Sequence, residues 1–573
     1  MKKKIVFRDY NQKQMVLPSS IITLIPENHV VRVVNDIIDS IDISALIEKY
    51  QGGGRSAYDP RMLLKVLVYA YTQRVYSGRN IAKQLKENIY YMWIAGHEKP
   101  DFRTINRFRS EKLGDEIDNI FSNILMLLME KEYIKYENYF LDGTKIEANA
   151  RKFSFVWSKS TKRYSESLQA KIKDLLKDIK EITDNENREY GIKDLEEYEG
   201  KEITSEELIE ISESINKNLS EDKNIDKELK KKKKILDADY LPRAKKYEEY
   251  KEIAGKRNSF SKTDHDATFM RMKEDYMKNG HLKPGYNIQI GTENQFILGY
   301  TVHQKPSDST TLIPHLNYLE NQIGKLPQNI VADAGYGSHE NYSYLKDKEL
   351  NAYVKYNTWF QDIKGKKTKI WNKNSFIYDK TTDEYICPNG ERLTYQYTRN
   401  QKTENEYLQQ IKYYQYDNCY DCMMKDKCTR GQFSRMLGVN APLEEHKRIA
   451  RVNLCSEKGT ELRKRRCADV EAVFGLIKGN GGFRRFLLRG MKKVNIEWGL
   501  ISIAHNLKRL SEMISSLVKS KEFLLNLLKL DTNKKRVTQV ENLLMSRPLL
   551  WFFSHLAFIL PVYIYLLYPL LSA

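Results

Sequence analysis

Three acidic residues in this 573-residue chain stand where their chemistry is usable. Asp142 follows the apolar run Tyr139-Phe140-Leu141, and Asp333 follows Asn329-Ile330-Val331-Ala332. Both runs have the length and composition of buried strands. On its own segment Asp142-Gly143 reads first as a turn, because Asp-Gly is a common turn signal. A second aspartate of the same kind changes that reading. Strand-end carboxylates on neighbouring strands of one sheet would sit side by side and hold divalent cations. The third acid, Glu471, lies in a helix whose apolar face is Val470, Val473, Phe474 and Ile477. Lys478 is seven residues on, two turns along the same side. A carboxylate beside a metal and an amine placed toward a phosphate suit phosphodiester chemistry. Asp469 is the rival acid, turned about 200° from Glu471 by the 3.6-residue repeat.

A second group is made of thiols. Cys387, Cys419, Cys422 and Cys428 give one Cys-x2-Cys pair with a cysteine on either side, the number that a closed tetrahedral Zn²⁺ site needs. Unliganded thiols are the alternative, since only one pair is tightly spaced. Cys455 and Cys467 stand outside the set and read as packed. Six cysteines in a chain of this size are too few for a disulfide scaffold.

The elements that must position these groups can be read in order. Residues 25–130 are patterned as several helices: one carrying Val30, Val34, Ile37 and Ile41, one after Asp59-Pro60, a third from Ser77 to Trp93 and a fourth opening at Asp101. Arg74, Arg79, Lys83, Lys86, Arg103, Arg107 and Arg109 between them suit a helix-turn-helix-like DNA reader, or the charged surface of an ordinary bundle. After the Asp142 strand, Lys145, Asn149, Arg151 and Lys152 form a basic run able to track a backbone. Residues 160–256 are rich in Lys and Glu with sparse apolar positions and read as solvated helices, broken at Leu241-Pro242. Tyr286–Gly291 and Phe296–Val302 form a hairpin across a short polar break, and Ser307–Thr311 caps the helix that follows.

Size and charge bound the rest. A 67.5 kDa chain divides into two to four compact units, and a net charge of +19 with a pI near 9.2 favours a polyanionic partner, nucleic acid first and an anionic membrane surface second. Lysine enrichment from an AT-rich genome is the plainer explanation. The basic N-terminus lacks the apolar core of a signal peptide, so a cytoplasmic, nucleoid-associated location is expected.

With Asp142, Asp333 and Glu471 together, the chain resembles the DDE transposases of bacterial insertion sequences. The resemblance rests on Asp142-Gly-Thr-Lys-x-Glu-Ala-Asn-Ala150, on Ala332-Asp-Ala-Gly-Tyr336 and on Val470-Glu-x-x-Phe-Gly-x-x-Lys478, and it extends over most of residues 1–515. It implies an α/β fold: an RNase H-like mixed sheet flanked by helices (131–159, 260–350 and 456–515). Around it would lie an all-α DNA-binding domain (1–130), a helical charged insertion (160–259), a Cys-bearing insertion (351–455) and a tail (516–573). It also implies two Mg²⁺ or Mn²⁺ ions roughly 3.5–4 Å apart, with Asp142 bridging both and Asp333 and Glu471 each holding one. Lys478, Arg466, Lys145, Arg103 and Arg107 would contact DNA. The implied partners are double-stranded terminal repeats and target DNA, bound by a homodimer, with no small-molecule substrate. A repeat-binding repressor that no longer cuts is the alternative. In two respects the chain departs from the family pattern: the arginine expected four residues before the glutamate is Cys467, with Arg466 one position further off, and Lys464 stands where a tyrosine is expected.

From Pro548 to Ala573 the chain is almost wholly apolar and long enough for a transmembrane span. His555, Pro561 and Pro569 interrupt it, and no catalytic logic requires it, so a dispensable tail or a docked segment is the preferred reading. Truncation after Arg547 is expected to leave DNA cleavage by the purified protein intact; an inactive but folded truncation would overturn this.

Overall fold

The computed structural model describes residues 20–50, 57–114, 116–184, 201–220, 227–272, 281–363, 372–429 and 431–530. The apolar run after Pro548 lies outside these residues. Among those described, no helix is long and apolar enough to cross a membrane.

The strands, in chain order, are β1 (Asn138–Glu147), β2 (Phe155–Trp157), β3 (Ser259–Ser261), β4 (Thr268–Arg271), β5 (Leu282–Glu293), β6 (Phe296–His303), β7 (Asn329–Ala332) and β8 (Asn351–Val354). They are followed by β9 (Ile377–Asp379), β10 (Glu384–Ile386), β11 (Arg392–Lys402), β12 (Leu408–Gln415) and β13 (Met436–Val439). β1 is the hinge of the central mixed sheet: it pairs antiparallel with β5 on one side and parallel with β7 on the other, and β7 pairs parallel with β8. β5 is long enough to carry β4 and β6, both antiparallel, along successive parts of its far edge. This is the RNase H-like sheet, and helices accompany it. Tyr139, Phe140, Leu141, Ile288, Ile290, Ile330 and Val331 are all at or below 1% exposure, so the shared strands are covered on both faces, as parallel pairing requires.

The hairpin expected between Tyr286 and Val302 is β5–β6. Its turn residues Asn294 and Gln295 have φ of 54° and 67°, the left-handed pair that matches strand twist in a two-residue loop. The N-terminal helices form where capping residues allow: Asp59 accepts a hydrogen bond from the Met62 amide and Asp101 one from the Thr104 amide. The helix expected from Ser77 to Trp93 is two helices, Gly78–Glu87 and Ile89–Ile94. Asn88 separates them, because its side chain accepts from the Tyr90 amide and starts a new helix.

Two further expectations change. The charged segment after Ser158 is not merely solvated. Helices Ser158–Asp184, Ser205–Ser220 and Leu241–Ala254 enclose a core of their own, with Ile172, Leu176, Ile179, Ile203, Leu208 and Ile215 fully buried. Leu241-Pro242 is not a break either. A wide π-helical turn, Leu236–Tyr240, joins Lys227–Ile235 to Leu241–Ala254, and Pro242 sits in the first turn of the latter, where its missing N–H costs nothing. Two members of the lysine run are neutralised: Lys232 by Asp178 and Lys233 by Asp237.

Beneath the sheet lies a buried polar chain. The Tyr139 hydroxyl and His315 Nε2 are 2.7 Å apart, and the Thr301 hydroxyl is 2.7 Å from both His315 Nδ1 and His303 Nε2. Burial holds the imidazoles neutral, lowering His303 to about 4 and His315 to about 3. The unfolded chain protonates both near pH 6.5, so their contribution to stability is present above about pH 6.5 and declines on acidification toward the folded values. The denaturant midpoint is therefore expected to fall from pH 7 to pH 4.5, with a shallower slope in His315→Asn; equal slopes would refute the assignment.

Candidate active site

The parallel register of β1 with β7 pairs Asn138 with Asn329, Tyr139 with Ile330 and Phe140 with Val331. Two rungs further along the same register Asp142 comes beside Asp333, and both side chains leave on one face. Here the structure corrects the strand-end expectation: β1 runs on to Glu147, and Asp142 sits mid-strand opposite Ile290 of β5. The pairing with β7 stops earlier, its last rung being Phe140 with Val331. Asp333 ends its own strand, caps the short turn Ala334–Tyr336 and accepts from the Gly335 amide at 2.8 Å.

Gly143 allows the strand to pass this point. A Cβ there would lie 2.4 Å from Gln289 Nε2 and 2.6 Å from Asp308 Oδ1. Asp308 Oδ1 accepts from Asn287 Nδ2 at 2.9 Å and from Gln289 Nε2 at 3.0 Å, and Gln289 Oε1 accepts from the Tyr336 hydroxyl. The face of β1 opposite Asp142 is thus buttressed by a polar network that also holds the loop behind Asp333. Asp308, Gln289 and Tyr336 were not singled out from the sequence, where they look like ordinary cap, strand and turn residues.

Glu471 arrives on the helical stretch after Glu457. Residues Glu457–Arg466 are α-helical, Cys467–Glu471 form a π-helical turn, and a second π turn, Leu476–Asn480, follows Ala472–Gly475. The first π turn accounts for the displaced arginine. A π turn bonds residues five apart, so Arg466 takes up toward Glu471 the place that the residue four before it would occupy on an α-helix. Arg466 Nη1 lies 2.7 Å from Glu471 Oε1, and Nη2 lies 3.2 Å from Asp142 Oδ1 and 3.9 Å from Asp333 Oδ2. One guanidinium, 6% exposed, therefore touches all three acids. Asp469 is settled as a structural residue. Its carboxylate accepts from the Thr292 hydroxyl at 2.7 Å and from the Asn294 and Gln295 amides at 2.9 and 3.0 Å, clamping this helix to the β5–β6 turn.

Asp142, Asp333, Glu471, Arg466, Lys478 and Arg484 line one open cavity of about 460 Å³. Asp142 is deep, with its side chain 10% exposed, while Asp333 (41%) and Glu471 (46%) stand at the mouth. As they stand, with Arg466 among them, the acids are not spaced as a metal-binding group; no cluster of three or more His, Cys, Asp or Glu side chains among the described residues is. The donor set is nevertheless all carboxylate oxygen, which suits Mg²⁺ or Mn²⁺, and a cation already lies at its centre.

The other sequence-selected residues are dispersed. Lys145 is half-buried on β1 at a position that alternates to the face away from Asp142. Arg103 and Arg107 are exposed on the helix Phe102–Arg107, Arg107 beside Glu111, and neither lines the cavity. Arg109 leaves the set of surface cations: it is 4% exposed and donates to the Tyr71 hydroxyl, the Tyr76 carbonyl and Asn106. Cys455 and Cys467, expected to be packed, are exposed. Cys387, Cys419, Cys422 and Cys428 are half-buried, unpaired, and line a cavity of about 220 Å³ far along the chain from the acids.

Removing Arg466 takes the guanidinium away from the mostly buried Asp142 carboxylate, a loss of about 3 kcal/mol for a buried ion pair. Arg466→Ala is expected to lower the melting temperature in EDTA, and millimolar Mn²⁺ is expected to restore more stability to the variant than to the wild type. Equal Mn²⁺ responses would show that the guanidinium does not hold the cation position.

Residues 19–111 match a family model described as a transposase domain (DUF772), and residues 386–511 match one described as a transposase DDE domain. No curated protein matches the chain. The second match takes in Glu471, Arg466 and Lys478, while Asp142 and Asp333 fall between the two matched segments, on β1 and directly after β7. The chain is thus similar to transposase families over two segments, with an RNase H-like sheet between them, and these findings support a DDE transposase of an insertion sequence.

Proposed function

We propose that this transposase binds the terminal inverted repeats of its own element and carries out metal-dependent strand cleavage and strand transfer there. DNA is the partner that its class implies. The observation that supports the chemistry is the convergence of Asp142, Asp333 and Glu471, 329 residues apart along the chain from first to last (471 − 142), on a single guanidinium.

In the proposed reaction, two divalent ions held by these carboxylates supply charge neutralisation of the scissile phosphate and activation of the attacking oxygen. The chain's own residues do the rest. Asp142, rigid in the sheet and mostly buried, is the fixed member; Asp333 and Glu471, half-exposed at the mouth, adjust to what enters. Arg466 keeps the three acids together, and its guanidinium would be free to face the phosphate if ions took its place among the carboxylates. Lys478, on the same helical stretch as Glu471, and Arg484 face the same cavity and counter the phosphate charge. Arg103 and Arg107 present cations from the N-terminal helices to the duplex, and a homodimer brings two element ends together.

The test is Asp333→Asn in the full-length protein with Mg²⁺ and a duplex carrying the element's ends. Nicking and strand transfer are expected to disappear while repeat binding in a mobility-shift assay is kept. Undiminished cleavage would remove Asp333 from the reaction. Binding without cleavage in the wild type would favour the repressor alternative.

A further inference from the structure

The acid site leaves the thiol group unexplained. Cys387, Cys419, Cys422 and Cys428 come from three separate places in the β9–β13 insertion, yet their side chains meet around one cavity of about 220 Å³. Cys387 directly follows β10 and opens a tight turn: its amide donates to the Glu391 carbonyl and the Gly390 amide to the Cys387 carbonyl, both at 2.8 Å. Cys419 and Cys422 lie in the loop after β12, and Cys428 closes the one-turn helix Lys425–Cys428.

Three features argue for a soft cation at this point. None of the four is in a disulfide, and all are half-buried, whereas Cys455 and Cys467 are exposed. Donors already point at two of the sulfurs: the Asn389 amide at 3.4 Å from Cys387 Sγ, two residues on within the turn, and Arg435 Nη1 at 3.4 Å from Cys428 Sγ. Such donors fix the direction in which the sulfurs point.

The third feature is the poverty of the insertion's core. Among the described residues the five strands share only Phe376, Leu393, Tyr414, Leu437 and Val439 as a buried apolar cluster, and β11 is exposed at ten of its eleven positions. A unit this thin lacks the apolar burial to hold its own end together, and small units of that kind are commonly stapled by a metal. Cys387 and Cys428 pack directly against this small cluster, so a bond between them would extend it.

We infer that Cys387, Cys419, Cys422 and Cys428 bind one Zn²⁺ as a closed, structural tetrathiolate site that fixes the loop Tyr416–Arg435 to the turn Cys387–Gly390. Among the described residues no three of these sulfurs stand at ligand spacing, and binding one cation would draw the four together. The inference goes beyond the reaction at the acid cluster and does not depend on it.

The experiment uses the full-length protein, purified without chelator, and reads metal rather than DNA cleavage. Elemental analysis is expected to give one zinc per chain. After removal of zinc under reducing conditions, Co²⁺ is expected to give one equivalent of the thiolate-to-cobalt charge-transfer band and the intense visible bands of tetrahedral cobalt. The charge-transfer band separates this site from any ion held by carboxylates. Cys422→Ser is expected to weaken or abolish the spectrum, and Cys455→Ser and Cys467→Ser to leave it unchanged. If Cys422→Ser fails to fold, protease cleavage within residues 416–435 of the wild type, with and without zinc, carries the test; protection by zinc is expected. Absence of zinc together with absence of a cobalt spectrum, retention of the full spectrum in Cys422→Ser, or equal cleavage with and without zinc would each overturn the proposal.

Discussion

Three carboxylates cannot share one cavity without a positive charge among them, and in this protein the charge is built into the chain. The Arg466 guanidinium reaches Asp142, Asp333 and Glu471 together. The rest of the architecture can be understood as the means of delivering those four side chains. The sheet supplies the two aspartates through parallel pairing of β1 with β7; the helical stretch after Glu457 supplies Glu471 and Arg466 on one π turn. Two polar clamps hold the delivery in register. Asp469 ties the helix to the β5–β6 turn, and Asp308 with Gln289 and Tyr336 braces the far side of β1 and the loop behind Asp333.

An arginine among the three acids has a plain physical logic. The Asp142 carboxylate is mostly buried, and an unpaired charge there would be costly. The guanidinium meets that cost, and its planar fork of donors can face several carboxylates at once in a way that a lysine ammonium cannot. The exposure of Asp333 and Glu471 then matters, because two of the three partners can change their bonding without unfolding anything.

The insertions follow a different logic from the sheet. The helical one carries its own apolar core and behaves as an independent piece of packing, whereas the β9–β13 insertion has little core and four thiols. The second transposase match begins at residue 386, so the thiol-bearing segment belongs with the part of the chain that ends in the Glu471 helix rather than being a loose addition.

Much of this was legible in the order of residues. Apolar runs ending in Asp142 and Asp333, the hairpin, the capped N-terminal helices and the apolar face around Glu471 are local patterns with local causes, and each appears where its pattern lies. Other features depended on neighbours distant in sequence. Asp142-Gly143 looks like a turn until β5 pairs with it; Arg109 looks like a surface cation until Tyr71 and Tyr76 enclose it; Asp469 and Glu471 are equivalent acids until the helix is docked. The sparse apolar residues between Leu168 and Ala244 count as a core only once three helices bring them together. Sequence by itself determined which side chains could do chemistry and which elements carry them, because residue type and periodicity act over a few positions. Tertiary structure alone decided which of those side chains meet, because register across a sheet and phase along a helix with π turns are set by packing over hundreds of residues.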